Sequence, residues 1–539
     1  MFRRVRPRLS VDDLRVGSRF LLALPGFLRN PFSIDDARRI VRERFAQREQ
    51  QFLDRVADAC RLAGSPYARL LRSAGCRPDD VRELVEREGV EGALSALLRA
   101  GVYLTGDEFK GRRPVRRGSL EFTLAPAALL NPRSVVHGLS MSSGSRGVPT
   151  PVPIDLASIH DHAVNTHLTL DAHGGGDWVH AHYGVPGGTA VTNPLEFARG
   201  GRVPARWFTP VDLAGPGLSP RYRLGARAMR LGGLVAGVRL PGPTLAPLDA
   251  PLPIVRWLAE ELGQGRVPHL WTFASSAVIV CQAASEAGID IRGARFTAGG
   301  EPTTAARRSA IEATGAVVLP RMGATETDIL SYACRNPAAP DDMHFFDDRH
   351  AVIQPGPDGA TAGLPAGAML LSSLLPSAPI LLLNVCMGDQ AQLSRRSCGC
   401  GLEAAGWTRH IHEVRSFEKL TAGGVTLLDI DVIRVLEEVL PRRFGGSPTD
   451  YQLMERLDDH RARPEVRLLV SPALGDLDPA AVGDAFLSAV GGGSGGERLM
   501  ELQLRGAGVL RVVREAPRRT ASGKILHLFL EPHHDPEAS

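Results

Sequence analysis

A run of small and hydroxyl-bearing residues follows the apolar stretch that ends at Leu139. Glycines let a loop turn its backbone N–H groups inward, and serine hydroxyls add donors, so such a loop can enclose an anionic phosphate. The Lys-Ser/Thr pair that closes a P-loop is missing, which excludes a Walker A site. Small-residue loops are also often ordinary turns, and that alternative stays open. The candidate phosphate-binding residues are Ser142, Ser143, Gly144, Ser145, Arg146 and Gly147.

Three further segments could contribute to a nucleotide site. Gly299-Gly300-Glu301-Pro302 lies between a predicted strand and a predicted helix, where glycines permit a flat ring to approach the backbone. Met322-Gly323-Ala324-Thr325-Glu326-Thr327 contains a carboxylate, a hard oxygen ligand of the kind that Mg²⁺ prefers. Met387-Gly388-Asp389 follows an apolar run at 380–383, a predicted strand end at which an aspartate is often only a turn residue.

Lysine is rare in this chain, so its positions are informative. Only Lys110, Lys419 and Lys524 occur, and arginine supplies nearly all of the positive charge. Lys524 lies in the segment Thr520-Ala521-Ser522-Gly523-Lys524-Ile525. A compact ammonium on a long stem can neutralise charge that grows in a transition state. We therefore interpret Lys524 as a catalytic residue, whereas no chemistry is assigned to Lys110.

Taken in order, these segments resemble five motifs of the adenylate-forming superfamily, which includes acyl-CoA ligases, luciferases and amino-acid adenylation domains. They extend from Ser142 to Ile525, and Thr150 is similar to the threonine of the phenylacetate-CoA ligase-like branch. The resemblance implies ATP, Mg²⁺ and a small carboxylic acid as ligands. It also implies a large N-terminal α/β body and a small, mobile α+β C-terminal domain that carries Lys524.

The resemblance also implies a role for each matching residue. It assigns catalysis to Lys524, Thr325 and Glu326, with Glu326 as the Mg²⁺ ligand. The implied nucleotide contacts are the loop at 142–147, Gly300, Glu301 and Pro302 beside adenine, Met322 and Gly323 over the ring, Thr325 at the α-phosphate, Asp389 at the ribose, and Arg415. Three residues depart from the family pattern: Arg146, Met322 in place of an aromatic residue, and Phe417 at the usual polar hinge position.

The segment His182-Tyr183-Gly184 resembles the aromatic, glycine-rich loop that forms the acyl pocket in the phenylacetate-CoA ligase-like branch. The alternative is that these are ordinary core or turn residues.

Four metal-ligand residue types lie between the nucleotide motifs. Cys398 and Cys400 form a tight Cys-x-Cys pair, with Cys334 and His344 upstream. Zinc prefers four nitrogen or sulfur ligands in a tetrahedron, and the same branch often carries a similar constellation. We predict a structural zinc at these four residues. The competing ligands are Cys386, His350 and His410, and the alternative is thiols without a metal.

Composition narrows the possible partners and compartment. The 539 residues carry a net charge of +4, which gives no indication of nucleic acid as a partner. Seven cysteines do not make a disulfide framework, so we expect a reducing, cytoplasmic location. Since no apolar run approaches the ~20 residues of a membrane span, none is expected. A homodimer is a further expectation.

The periodicity of the sequence predicts an α/β protein. Residues 31–125 read as helices, with Ser33 as one N-cap. Residues 135–400 alternate short apolar runs with helical patterns, which is typical of α/β layers. After a break at 408–424, a small α+β unit follows. We therefore expect an N-terminal adenylation domain at 1–414, whose residues 1–125 form a mostly helical layer, and a C-terminal lid at 415–539.

Three functions are compatible with these patterns. The first is an acid-thiol ligase that forms an acyl-adenylate, releases pyrophosphate and transfers the acyl group to CoA. The second is a biosynthetic adenylating ligase whose acceptor is a carrier-protein thiol, an amine or another nucleophile. The third is a non-catalytic nucleotide-binding scaffold, which the presence of both Lys524 and Glu326 disfavours.

Overall fold

A computed structural model describes residues 11–62, 64–141, 151–184, 188–213, 220–356, 363–416, 421–422, 425–426, 432–456, 465–490, 510–520 and 523–530. Its helices are α1 Val11–Arg29, α2 Ile34–Ala46, α3 Arg48–Arg61, α4 Pro66–Ser73, α5 Pro78–Arg99, α6 Gly106–Phe109, α7 Leu156–Ala172, α8 Gly188–Arg199, α9 Pro220–Val235, α10 Leu252–Gly263, α11 Ala274–Glu286, α12 Ala305–Glu312, α13 Gly401–Ala404, α14 Val432–Arg434, α15 Leu440–Phe444 and α16 Pro479–Val490, with a π-helical turn, Val435–Val439, joining α14 to α15.

The strands are β1 Val115–Arg117, β2 Leu120–Phe122, β3 Gly138–Met141, β4 Pro151–Ile154, β5 Val179–Tyr183, β6 Arg206–Thr209, β7 Pro243–Leu245, β8 Pro268–Phe273, β9 Arg295–Gly299, β10 Val317–Ala324, β11 Asp328–Ala333, β12 Met343–Phe345, β13 His350–Ile353, β14 Ala368–Ser373, β15 Val385–Arg395, β16 Arg409–Ser416, β17 Thr421–Ala422, β18 Val425–Thr426, β19 Tyr451–Arg456, β20 Glu465–Val470, β21 Leu510–Val513 and β22 Leu528–Leu530.

Helices dominate the first hundred residues. Ser33 caps α2 as predicted, because its hydroxyl accepts from the Asp36 backbone N–H at 3.1 Å and Asp36 bonds back in a capping box. Helices α3 to α5 bury Phe52 and Leu94 in one core with Leu370 and Val385 of the main sheet. The end of the predicted helical region is instead the β1–β2 hairpin, which contains alternating polar and apolar residues.

A 12-stranded sheet forms the centre of the body, in the order β13-β14-β15-β16-β12-β11-β10-β9-β8-β5-β6-β7. Strands β7, β6, β5, β8, β9 and β10 pair in parallel, and the remaining neighbours pair antiparallel. Helices α10 and α11 bury their apolar faces on the parallel half. The carboxyl ends of parallel strands share one edge of a sheet, which is where α/β proteins bind ligands.

The C-terminal part has a sheet and core of its own. Strands β21-β20-β19-β22 form a four-stranded sheet. The continuous helical segment at 432–444 and α16 cover it, and Val435, Leu468 and Phe486 lie in the shared core. The predicted fold class, an α/β body followed by a small α+β unit, is confirmed. Among the described residues, no helix combines the length and the apolar content needed to cross a membrane.

Two motif positions differ from the sequence expectation. Met387-Gly388-Asp389 does not follow a strand but lies inside β15, because residues 380–383 form an irregular buried segment rather than a strand. Met322 and Gly323 likewise lie inside β10, and the Thr325-Glu326-Thr327 turn leads into β11. Both segments are therefore held by the ladder of the main sheet.

Asn384 joins the helical layer to the start of β15. It has a positive φ of 50°, and its buried amide Nδ2 donates to the carbonyls of Leu94 at 2.8 Å and Val102 at 3.1 Å. These bonds join α5 and the segment that follows it to the start of β15.

Asn384→Ala should therefore lower the free energy of unfolding by about 1–3 kcal/mol, since two buried hydrogen bonds that join α5 and the segment after it to β15 are lost. Urea denaturation measures this loss. Gln50→Ala is the control, because exposed Gln50 donates to Asp54 on a single helix at 2.8 Å, and it should cost less than about 0.5 kcal/mol. Equal losses in the two variants would contradict this role.

Candidate active site

A cavity of 340 Å³ opens at the carboxyl ends of β8, β9 and β10, where the body meets the C-terminal part. Residues from distant segments border it: Lys110, Phe273, Gly300, Arg321, Glu326, Asp389 and Lys524. The strands β3 and β4 also border it, through Ser140 and Val152. The candidate phosphate loop at 142–147 connects these two strands and lies outside the described residues.

Lys524 reaches the cavity from the C-terminal part. Its loop is closed by Thr520, whose hydroxyl accepts from the Lys524 backbone N–H at 3.1 Å. The ammonium Nζ lies 5.0 Å from the ring centroid of Phe273. Gly300, at a φ of +73°, leaves room for the lysine stem, because an added Cβ there would lie 3.0 Å from Lys524 Cε and 2.9 Å from Phe273. The glycine and the aromatic ring together form the floor beneath Lys524.

Lys110 brings a second ammonium into the cavity from the helical layer. It follows α6, whose first turn is fixed by a capping box between Thr105 and Glu108. Its Nζ donates to Glu326 Oε1, and that carboxylate is only 5% exposed. Sequence reasoning missed Lys110, although the rarity of lysine that singled out Lys524 applied to it equally. A divalent cation on Glu326 would have to share this carboxylate with Lys110.

The other predicted nucleotide residues lie in different surroundings. Met322, Gly323, Thr325 and Asp389 border the cavity. Arg415 lies in β16 opposite Gln390, and its side chain is exposed. The hinge residue Phe417 lies outside the described residues.

The candidate acyl-pocket residues end β5 and are buried. Asn193 Nδ2 lies 3.1 Å from His182 Nδ1, and the Tyr183 hydroxyl donates to the Ala246 carbonyl at 3.0 Å. Burial and the nearby charge of Arg321 lower the pKa of His182 to about 3, so its imidazole is neutral. Gly184 leaves space for this ring, since an added Cβ would lie 2.8 Å from His182 Nε2. None of these three buried residues borders the 340 Å³ cavity, and their acyl role stays a prediction.

Glu301 belongs to a buried ionic network that connects the two parts of the chain. Its carboxylate accepts from the Ser275 backbone N–H at 3.0 Å and from Arg307 Nη1 at 2.6 Å. Arg307 Nε donates to Glu437 Oε1 at 2.7 Å, and His527 Nε2 lies 2.6 Å from the same oxygen. We call Glu301, Arg307, Glu437 and His527 the Arg307 network. The predicted contact of Glu301 with adenine would have to be made by a carboxylate already engaged in this network.

The Arg307 network also holds Ile525, which lies between Lys524 and the strand β22. Arg307 Nη2 donates to the Ile525 carbonyl at 3.1 Å, and the Ile525 N–H donates to Ser275 Oγ at 3.3 Å. The side chains of Arg307 and Glu437 are each 1% exposed. Because Ile525 directly follows Lys524, these bonds fix where the ammonium enters the cavity.

Four predicted metal ligands come together away from the cavity. One donor atom from each of Cys334, His344, Cys398 and Cys400 lies within 4.8 Å of the others. His344 Nε2 lies 3.2 Å from Cys400 Sγ and 3.5 Å from Cys398 Sγ. The other ring nitrogen, Nδ1, lies 2.6 Å from the Trp407 carbonyl, so it carries the proton and leaves Nε2 as an electron-pair donor.

The competing ligands are arranged differently. His410 pairs with Asp342 at 2.8 Å, and these two residues form an overlapping group with Cys334. Cys386, at the start of β15, and His350, in β13, belong to none of the groups of potential metal ligands found among the described residues.

No protein-family model and no curated protein matches this sequence. Solved structures similar in fold include 2-hydroxyisobutyryl-CoA ligase in the postadenylation state with R3-HIB-AMP, at 14% identity, 91% coverage of this chain and 90% of that chain, and a TM-score of 0.49. ATP-bound MatB from Rhodopseudomonas palustris has 14% identity, 72% and 66% coverage and a TM-score of 0.38. McyG A-PCP with phenylalanyl-adenylate has 12% identity, 83% and 72% coverage and a TM-score of 0.40. Since all three TM-scores are below 0.5, a functional assignment must come from the residues of the site.

The Arg307 network predicts a pH-dependent component of stability. Burial alone would raise the pKa of the Glu437 carboxyl, but Arg307 and His527 together lower it below the usual 4.5. A lowered pKa in the folded state stabilises the protein above pH 4.5, and this stabilisation is lost as the pH falls through the folded value.

Glu437→Gln should therefore destabilise the protein by about 2–3 kcal/mol at neutral pH. This loss is smaller than that for a buried ion left with no partner, because Arg307 would still be paired with Glu301. Hydrogen exchange at the Ile525 amide should also accelerate. The matched control is Glu438→Gln in the same helix, where the carboxylate bridges to exposed Arg442 at 3.4 Å. The difference in free energy of unfolding between the wild type and Glu437→Gln should become smaller below pH 4.5. A difference that stays constant with pH, or an equal effect of the two variants, would contradict the ionic role.

Proposed function

We propose that this chain is an AMP-forming ligase of the adenylate-forming superfamily, which activates a carboxylic acid as an acyl-adenylate and releases pyrophosphate. The observation that carries the proposal is the convergence of Lys524, Lys110 and Glu326 on one cavity at the carboxyl ends of parallel strands. Such a cavity offers positive charge to phosphates and a carboxylate to a hard cation. The proposal is also supported by the order of the five motifs in the sequence.

The proposed chemistry divides among a few residues. Lys524 neutralises the negative charge that grows between the attacking carboxylate and the α-phosphate. Glu326 is the residue that would hold Mg²⁺, which offsets the phosphate charge when bound. Lys110, which borders the same cavity, would exchange its partner from Glu326 to a phosphate oxygen when the nucleotide binds. Thr325 and Asp389 offer a hydroxyl and a carboxylate to the nucleotide, and Phe273 with Gly300 forms an apolar floor.

We propose CoA as the acceptor of the acyl group, so that the overall reaction is that of an acid-thiol ligase. The second candidate keeps adenylation but transfers the acyl group to a carrier-protein thiol or an amine. Pyrophosphate release and AMP release, each measured with and without CoA over a panel of acids, separate the two. A chain that binds ATP without releasing pyrophosphate would be the non-catalytic scaffold.

Lys524→Ala should slow pyrophosphate release by about 100- to 1000-fold, because one preorganised charge contact to the transition state is lost. ATP binding, measured by calorimetry, should be largely retained. Arg518→Ala is the control, since the Arg518 side chain in the same loop is 48% exposed and pairs with Glu515. Normal pyrophosphate release by Lys524→Ala, or an equal loss in Arg518→Ala, would refute the catalytic role.

We also propose a structural zinc at Cys334, His344, Cys398 and Cys400. Sulfur and nitrogen ligands lie about 2.3 and 2.0 Å from a tetrahedral zinc, which separates two such atoms by about 3.5 Å. The sulfur-to-nitrogen distances of 3.2 and 3.5 Å fit this spacing. Zinc there would tie the end of β11 to the turn before α13, outside the reaction cavity.

Purified without chelator, the protein should contain about one zinc per chain. Cys398→Ser should lower both the zinc content and the melting temperature, because metal binding to the folded state adds to the free energy of folding. Cys76→Ser is the control, since this half-buried thiol lies outside the group. A metal-free wild type, or equal melting temperatures for all three proteins, would reject the site.

A further inference from the structure

Besides the two lysines, an arginine, Arg321, also borders the reaction cavity. It lies in β10. Its guanidinium carbon lies 4.4 Å from the ring centroid of Trp271, and Lys524 Nζ lies 5.0 Å from that of Phe273. Residues i and i+2 of a strand point to the same face about 7 Å apart. The two cations therefore lie side by side over two neighbouring rings of β8.

Two adjacent glycines complete this arrangement. An added Cβ at Gly299 would lie 2.6 Å from Arg321 Cγ, and one at Gly300 would lie 3.0 Å from Lys524 Cε. A side chain at Gly299 would therefore displace Arg321, and one at Gly300 would displace Lys524 or Phe273. The two aromatic rings of β8 and the two glycines at the end of β9 thus leave room for both cations beside the cavity.

Arg321 is half-buried, and it differs in its partners from the buried arginines Arg44 and Arg307, which bond to carboxylates. Among the described residues it forms no salt bridge and no hydrogen bond, and its buried Nε has no partner. Asp328, a nearby acid, is instead 2.6 Å from His162. The other nearby acid, Glu196, is 1% exposed, and burial and the charge of Asp328 raise its pKa well above 4.5, which favours its neutral form. Burial lowers the pKa of Arg321 only to about 10, so it remains charged at neutral pH.

We propose that Arg321 binds a second anionic group of the acid substrate, and that the enzyme activates short dicarboxylic acids. This inference rests on the proposed ligase function and specifies its substrate class. One carboxylate oxygen forms the bond to the α-phosphorus beside Lys524 while pyrophosphate leaves with the bonding electron pair. The other carboxylate stays ionised against the Arg321 guanidinium, whose planar fork can donate two hydrogen bonds to it. The side-by-side cations suit a short carbon chain between the two groups.

The test compares acids of equal carbon skeleton with and without the second carboxylate. Succinate against butyrate and malonate against propionate are suitable pairs, with pyrophosphate release as the readout. We expect the wild type to favour the diacid of at least one pair by about 100-fold in kcat/KM, the size of a lost charge-assisted contact. Arg321→Gln should reduce kcat/KM for that diacid by about 100-fold while leaving the monoacid within about threefold. Arg321→Lys should restore part of the diacid preference.

Arg295→Gln is the matched control. Arg295 also lies over a tryptophan, with its guanidinium carbon 5.9 Å from the ring centroid of Trp178, but it borders a different cavity. The variant Arg295→Gln should keep the wild-type ratio of kcat/KM for the diacid to kcat/KM for the monoacid. If Arg321→Gln does not fold, the wild-type ratio and the partial rescue in Arg321→Lys decide the question.

Three outcomes separate the alternatives. A wild type that activates monoacids as well as diacids, or better, overturns the role of Arg321 but leaves the ligase function standing. An equal loss for both acids in Arg321→Gln shows that the arginine only supports Trp271, which also overturns the role. A wild type that releases pyrophosphate with no acid overturns the proposed function itself and this inference with it.

Discussion

The position of Lys524 depends on one buried arginine. Arg307 lies at the start of α12, with its side chain 1% exposed, and its guanidinium bonds to Glu301 in the body and to Glu437 in the C-terminal part. Burying an ion costs several kcal/mol, which partners repay only when their geometry is good and their remaining lone pairs are satisfied. Here the partners are satisfied, since Ser275 donates to Glu301 and Thr304 donates to Glu437. The network therefore specifies how the two parts dock more than it adds to total stability.

Lysine and arginine have different roles in this chain, in which lysine is scarce. Arginine supplies the charge where a planar, fixed fork is useful, as in the Arg307 network and the stacked position of Arg321. An ammonium is a compact charge on a flexible stem and can change partners during a reaction. Both lysines among the described residues border one cavity, Lys110 beside Glu326 and Lys524 beside Gly300 and Phe273. Among the described residues, lysine thus occurs only beside this cavity, where mobility of the charge would matter.

Sequence reasoning found the features that are local along the chain. The α/β class, the strand before Gly299, the capped α2 and the Cys-x-Cys pair are all written in short windows of residues, and the structure agrees with them. Sequence reasoning could not find ion pairs between residues that are far apart along the chain. Arg307 and Glu437 are 130 residues apart, and Lys110 and Glu326 are 216 apart. The placement of Asp389 after a strand was wrong because the buried run at 380–383 is as apolar as a strand, yet it forms only one isolated bridge, between Ile380 and Leu130. Arg321 went unnoticed because nothing in its local sequence shows that it lacks an ionic partner.

The arrangement of charges in the Arg307 network also bears on domain movement. If the C-terminal part swings away to admit an acceptor, Arg307 remains bonded to Glu301 at 2.6 Å in the body. Glu437 and His527 leave together, because both belong to the C-terminal part and lie 2.6 Å apart. Each half then keeps an oppositely charged or polar partner, and no bare ion is exposed to an apolar surface. Separation costs the central Arg307–Glu437 contact and the bonds to Ile525, which water can replace once the surfaces part. If the two parts separate, a network of alternating charges leaves each part with a charged or polar partner, whereas separation of a single interdomain ion pair would leave two unpaired charges on surfaces shaped for burial.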